Sequence, residues 1–235
     1  MGRNFSFMAN FLTGLSLFCG FISIILSLEG HFTLASYAIL LSVVLDGLDG
    51  QIARKNNNSS DFGKELDSLV DVVSFGIAPA LLGYTFIYSH FHLLVVTVVF
   101  IYLLLVVIRL ARYNITKFSL GNCFTGLPTT VAGGMLASFV LIYSVKGSSF
   151  LPEFIPVIFI VLVLLLAYLM ISPACYLNLD GLKKLLGRNL KLAVLFLFIS
   201  LSLAIYWDKI GISLFCIFLI YLIFSPFVVK RLNSA

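Results

Sequence analysis

Long apolar runs separated by short polar connections occupy the chain from residue 8 to residue 229. A membrane-spanning helix needs about 20 apolar residues. Hydropathy marks eight stretches of roughly that length: 8–28, 32–53, 65–88, 91–112, 129–145, 151–172, 191–207 and 211–229. The connections are short, apart from 113–128 and 173–190. The latter contains Leu182, Lys183, Lys184, Leu185, Leu186 and Arg188, the pattern of a helix lying on a membrane surface. The expectation is an all-α polytopic bundle of about eight transmembrane helices, forming one membrane domain over residues 1–235.

Composition agrees. Hydrophobic residues make up 61% of the 235 positions and charged residues 11%, where a soluble domain carries about 25% charge. A water-facing surface cannot be covered at that density, so an ordinary soluble enzyme is excluded. The four cysteines show no CxxC spacing for zinc or redox chemistry and read as packed free thiols.

Charge then orients the chain. Arg3, Arg54, Lys55, Lys64, Arg109, Arg112, Lys117, Lys183, Lys184, Arg188, Lys191, Lys230 and Arg231 fall on one side of the predicted spans. Only Lys146 and Lys209 fall on the other. The positive-inside rule puts both termini in the cytoplasm, which requires an even number of spans. The net charge of +5 comes from residues flanking spans, where they meet anionic headgroups, so nucleic acid is not an expected partner.

The acidic residues are less evenly spread. Six of the ten, Asp46, Asp49, Asp61, Glu65, Asp67 and Asp71, lie close together in sequence. Asp46 and Asp49 sit in the apolar run LLSVVLDGLDGQIA, where an ionisable side chain costs about 3 kcal/mol and signals function. Spaced three apart, they share a helix face, as do Asp67 and Asp71, spaced four apart. A short loop joins the two helices, so four carboxylates converge at the cytoplasmic interface. Such crowding calls for neutralising cations, and oxygen-only ligands favour Mg²⁺, Mn²⁺ or Ca²⁺, as one ion or two. Gly47, Gly50 and Gly63 give clearance beside the acids. With Arg54 they suggest a phosphate or diphosphate site.

The residues D46-G-L-D49-G50-Q-I-A53-R54, eight further positions, then G63-K-E-L-D67-S-L-V-D71 resemble the CDP-alcohol phosphotransferases across nine fixed positions. The stretch Ser74-Phe75-Gly76-Ile77-Ala78-Pro79-Ala80 is similar to the phosphatidylserine synthases of that family. Asn10 with Leu12-Thr13, Arg109-Leu-Ala-Arg112-Tyr-Asn114 and Phe124-Thr-Gly126-Leu127-Pro128 add to the likeness. Ala9 departs from the proline that relatives often carry there. The resemblance places a core in residues 1–145, with the catalytic motif at 46–71, and leaves 146–235 as additional helices.

The resemblance implies a membrane enzyme of phospholipid biosynthesis. A phosphatidyl or archaetidyl group would pass from CDP-diacylglycerol, or a CDP-archaeol-type lipid, to the hydroxyl of L-serine, releasing CMP. Asp46, Asp49 and Asp67 would hold Mg²⁺ or Mn²⁺, with Asp71 as ligand, general base or both. Gly50, Ala53, Arg54, Gly63, Thr13 and Ser60 would bind the CDP-lipid. Serine's carboxylate needs a cation, for which Arg109 and Arg112 are candidates, with Ser74 as a further serine contact. A homodimer in the cytoplasmic membrane is the family expectation. Gly76 and Pro79 are expected to kink the third span beside Asp71.

Alternatives are a family member using another acceptor, such as glycerol 3-phosphate or inositol phosphate, and two unrelated classes. Intramembrane prenyltransferases carry two separated Asp-rich motifs, and this chain has one cluster. A cation-coupled transporter would place its carboxylates near mid-membrane and often repeat itself.

Overall fold

Each helix boundary of the first hairpin follows from local chemistry. The first helix, α1 (Gly2–Leu28), ends where Gly30 adopts a positive φ of 81°. There Gly30 N–H donates to the Ser27 carbonyl and His31 N–H to that of Leu26, which satisfies two end carbonyls and reverses the chain. Helix α2 (Phe32–Lys55) then returns antiparallel to α1. Between them runs a polar seam: Ser23 Oγ donates to the Ala35 carbonyl at 2.9 Å, and the hydroxyls of Ser16 and Ser42 lie 2.7 Å apart. In a lipid solvent such interhelical bonds hold register where apolar packing alone discriminates poorly.

The computed structural model describes residues 2–55, 61–87, 92–116, 119–120, 123–144, 154–177 and 210–233. Its remaining helices are α3 (Asp61–Asp71), a π-helical segment (Val72–Ile77), α4 (Ala78–Ile87), α5 (His92–Thr116), α6 (Thr129–Ser144), α7 (Phe154–Ile171) and α8 (Ile210–Asn233). The α3–π–α4 stretch forms one membrane-length span over Phe62–Ile87.

Helix α6 is the centre of the bundle, buried along nearly its whole length. Its small residues permit this. A Cβ on Gly133 would stand 3.1 Å from Cβ of Phe75, and one on Gly134 would strike the ring of Phe218 on α8. Small residues let membrane helices approach closely enough for dispersion contacts to accumulate.

The π segment has a chemical cause and a chemical repair. Pro79 has no N–H to donate to the Phe75 carbonyl four residues back. Tyr102 of α5, completely buried, donates its hydroxyl to that carbonyl at 2.8 Å. The segment is gripped on other sides too. Ser74 Oγ donates to the Ser16 carbonyl at 3.1 Å, and Gly20 of α1 sits against Ser74 so closely that a Cβ there would lie 2.6 Å from its hydroxyl. The expected proline kink is therefore a wide helical turn, a form frequent at functional sites.

Six helices among the described residues are long and apolar enough to span a membrane, and Thr129–Ser144 is a shorter apolar helix. These correspond to seven of the eight expected spans; stretch 191–207 and the expected surface helix at 182–188 lie outside the described residues. The all-α expectation holds, with one addition. Both long connections contribute to a small antiparallel sheet of β1 (Ser119–Leu120), β2 (Cys123–Thr125) and β3 (Cys175–Leu177). Its register pairs Phe124 with Tyr176 and Thr125 with Cys175. Gly126, at φ 80°, makes the turn out of β2, where its N–H donates to the Ala174 carbonyl at 2.8 Å and a Cβ would collide with the Met170 carbonyl.

Candidate active site

Asp46 and Asp49 lie near the C-terminal end of α2, and Asp67 and Asp71 near the end of α3. The three- and four-residue spacings do bring these acids together. One carboxylate oxygen each from Asp46, Asp49 and Asp67 can be chosen within 4.8 Å of one another. Asp49 is buried, at 4% exposure, and its Oδ2 accepts from the Thr13 hydroxyl at 2.9 Å. That hydroxyl also lies 3.0 Å from the Ala9 carbonyl, so one proton serves two acceptors. Gly47 has open space where a Cβ would point, which keeps the approach beside Asp46 clear.

Asp71 sits at the junction of α3 and the π segment, with Asp46, Asp67 and Arg109 as charged neighbours. Its Oδ2 accepts from the Thr129 hydroxyl at 3.3 Å, whereas its Oδ1 is shielded from solvent and has no hydrogen-bond partner. A carboxylate oxygen orphaned in this way costs free energy unless a cation or proton donor completes it. Converging carboxylates without histidine or cysteine make an all-oxygen donor set that suits a hard divalent ion.

Arg109 reaches the same place from α5. It is 8% exposed, its Nη1 donates to Thr129 Oγ1 at 3.4 Å, and its Nε is buried without a hydrogen-bond partner. Thr129 thus bridges Arg109 to Asp71, a link that the sequence alone did not suggest. Arg112 is an electrostatic neighbour of Arg109, and its Nη1 donates at 3.2 Å to the carbonyl of Ile171, the last residue of α7, where a cation complements the helix end. Ser74 is fully buried with its hydroxyl committed to α1, so the structure does not bring it to Arg109.

The other expected contacts divide by position. Gly50 and Ala53 lie along α2 next to Asp49, and Arg54 falls in its last turn. Gly63 lies in the first turn of α3. Ser60 lies outside the described residues. Nearby, Asn114 of α5 exchanges hydrogen bonds with Ser68 of α3, at 3.1 and 3.2 Å, and ties the two helices together beside the acids.

The helix pair thus presents three carboxylates to one point, with buried Arg109 beside Asp71. The profile described as CDP-alcohol phosphatidyltransferase matches residues 6–173. The chain belongs to that family.

This CDP-alcohol phosphatidyltransferase is 36% identical over 214 residues to the CDP-diacylglycerol–serine O-phosphatidyltransferase of Helicobacter pylori strain 26695, covering 90% of this chain and 87% of that protein. It is 35% identical over 184 residues to the archaetidylserine synthase of Methanothermobacter thermautotrophicus, covering 76% and 72% respectively. The CDP-diacylglycerol–serine O-phosphatidyltransferase of Saccharomyces cerevisiae matches at 39% over 145 residues, covering 53% of this chain and 51% of that one. The matched family segment spans α1 to the end of α7 and includes all four aspartates, Arg109 and Thr129.

Proposed function

We propose that the protein transfers a phosphatidyl-type group from a CDP-activated lipid to the hydroxyl of L-serine, with release of CMP. The observation that carries this reading is the adjacency of two unlike centres. A three-carboxylate cluster fit for divalent ions stands beside Asp71, and Asp71 is linked through Thr129 to a buried arginine. The printed activities of the Helicobacter and Methanothermobacter relatives, both concerned with serine lipids, support serine as the acceptor. Those relatives' names also support a donor with either ester- or ether-linked tails.

Asp46, Asp49 and Asp67 would hold the metal, with Asp71 available as a fourth ligand. Bound Mg²⁺ or Mn²⁺, singly or as a pair, would neutralise the donor diphosphate and polarise the phosphorus being transferred. Gly50, Ala53, Arg54 and Gly63, with Ser60, would line the CDP pocket. Thr13 acts there by fixing the orientation of Asp49. The serine hydroxyl is a weak nucleophile, and Asp71, with its open Oδ1, accepts its proton as the new P–O bond forms. The electron pair of the breaking P–O bond leaves with CMP. Arg109 receives the serine carboxylate, for which its buried Nε is an unused donor. Arg112 supports the wall of that pocket by holding the end of α7.

The basic residues flanking the spans support an orientation with both termini and the site at the cytoplasmic face of the cell membrane. The enzyme core occupies residues 1–145, and it works as a homodimer, as the family resemblance implies.

The test is CMP release by purified protein in detergent with CDP-diacylglycerol or CDP-archaeol. Serine, glycerol 3-phosphate and inositol phosphate are offered in turn, each with Mg²⁺, Mn²⁺ or EDTA. Metal-dependent release with serine alone is expected. Turnover only with a phosphorylated acceptor overturns the serine assignment.

A further inference from the structure

Helix α8 lies beyond the matched family segment, yet it reaches into the neighbourhood of Arg109. β3 is the outer strand of its sheet, and its free edge is gripped by α8. Leu177 spends both of its backbone groups on that helix. Its N–H donates to Ser225 Oγ, and its carbonyl accepts from the Tyr221 hydroxyl at 2.8 Å. Tyr221 and Ser225 are one helical turn apart and so address one residue together.

The ring of Tyr221 does a second thing. It stacks on Tyr176 of β3, with centroids 6.1 Å apart and planes at 24°. Tyr176 is itself 1% exposed, and burial pushes its phenol up from its ordinary pKa, which keeps it neutral. Arg109 has Asp71 and Tyr221 among its electrostatic neighbours. A guanidinium with a free Nε and one 3.4 Å bond to Thr129 needs packing to keep its aim.

We propose that Tyr221 and Ser225 form a two-point latch that ties the last helix to β3 and thereby fixes Tyr221 beside Arg109, so that Tyr221 is a positioning residue for the acceptor site. This rests on the reading of Arg109 as the cation that receives the acceptor. α8 is then part of the substrate-selecting apparatus. The latch bonds go to β3 and Tyr221 has Arg109 as its charged neighbour, so the donor side should be less sensitive to it.

The test is steady-state kinetics on full-length protein carrying Tyr221→Phe or Ser225→Ala, each of which keeps the packing volume while removing one hydroxyl of the latch. KM for the acceptor is expected to rise about five- to tenfold in either variant, in line with loss of a hydrogen bond, with KM for the CDP-lipid unchanged. In an Arg109→Lys background the same Tyr221→Phe change should have little further effect on acceptor KM, because the interaction it serves is already lost. Equal changes in both KM values, or an undiminished effect in the Arg109→Lys background, would overturn the latch and leave α8 a structural helix. The kinetics use whichever acceptor the wild-type protein turns over. Turnover of a non-serine acceptor would sink the serine assignment, while the acceptor-to-donor KM comparison would still decide the latch.

Discussion

Thr13 on α1 donates its hydroxyl to Oδ2 of Asp49 on α2 across 2.9 Å, although 36 residues separate them. A bond of this kind fixes which oxygen of a carboxylate remains for a metal and in what direction it points. Outer partners of metal ligands commonly change affinity by about 10- to 100-fold when removed. Thr13→Val should therefore raise the Mn²⁺ concentration for half-maximal CMP release by about tenfold, while Thr13→Ser stays close to wild type. An unchanged metal requirement in Thr13→Val would show that Asp49 is oriented by its helix alone.

Removing one acid should have opposite effects on stability with and without metal. In EDTA, Asp46, Asp49, Asp67 and Asp71 crowd together with no metal ion between them, and Asp67→Asn relieves like-charge repulsion. That variant is expected to melt higher than wild type in EDTA and lower in saturating Mg²⁺, because only the wild type gains the full stabilisation of a bound ligand. Melting curves of both proteins under both conditions give the answer. Loss of stability in EDTA would mean that the acids are held by pairing and not by an ion.

Asp71→Asn should lower kcat by about 10²–10⁴-fold, the range for losing a general base. Acceptor and donor KM should change far less. A fall confined to metal affinity would instead make Asp71 only a ligand.

Much of this site could be read in the sequence, for a reason that is local. Carboxylates three and four apart on adjacent antiparallel helices converge whatever the rest of the bundle does, and Asp46, Asp49, Asp67 and Asp71 needed nothing more. The sheet and the latch were out of reach on the same grounds. Phe124 and Tyr176 pair across strands of three residues each, joined through a whole membrane hairpin, and strands so short leave no periodic trace. Thr129 carried no signal because a threonine opening a helix is ordinary, and its role exists only where Asp71 and Arg109 meet it. Ser74 shows the converse case. Its position beside the motif suggested substrate, but the π segment turns its hydroxyl onto Ser16.

Pro79 and Tyr102 make a testable pair. Tyr102→Phe leaves the Phe75 carbonyl buried without a donor, at a cost of about 1–3 kcal/mol. The variant should show a lower melting temperature in detergent. Pro79→Ala supplies a new N–H four residues along and should recover part of that loss in the double variant. If the double variant is no better than the single one, the new N–H does not reach the Phe75 carbonyl.

Helix α6 starts at Thr129, level with Arg109, whereas α5 runs on for seven more residues to Thr116. At 1.5 Å per residue, the chemistry sits about 10 Å below the end of α5. Water is a competing nucleophile for any activated phosphorus, and at the open surface it would vastly outnumber serine. Setting Arg109 and Asp49 among buried side chains, short of the helix end, rations that competitor. That depth then helps decide whether a donor lipid ends as product or is wasted by hydrolysis.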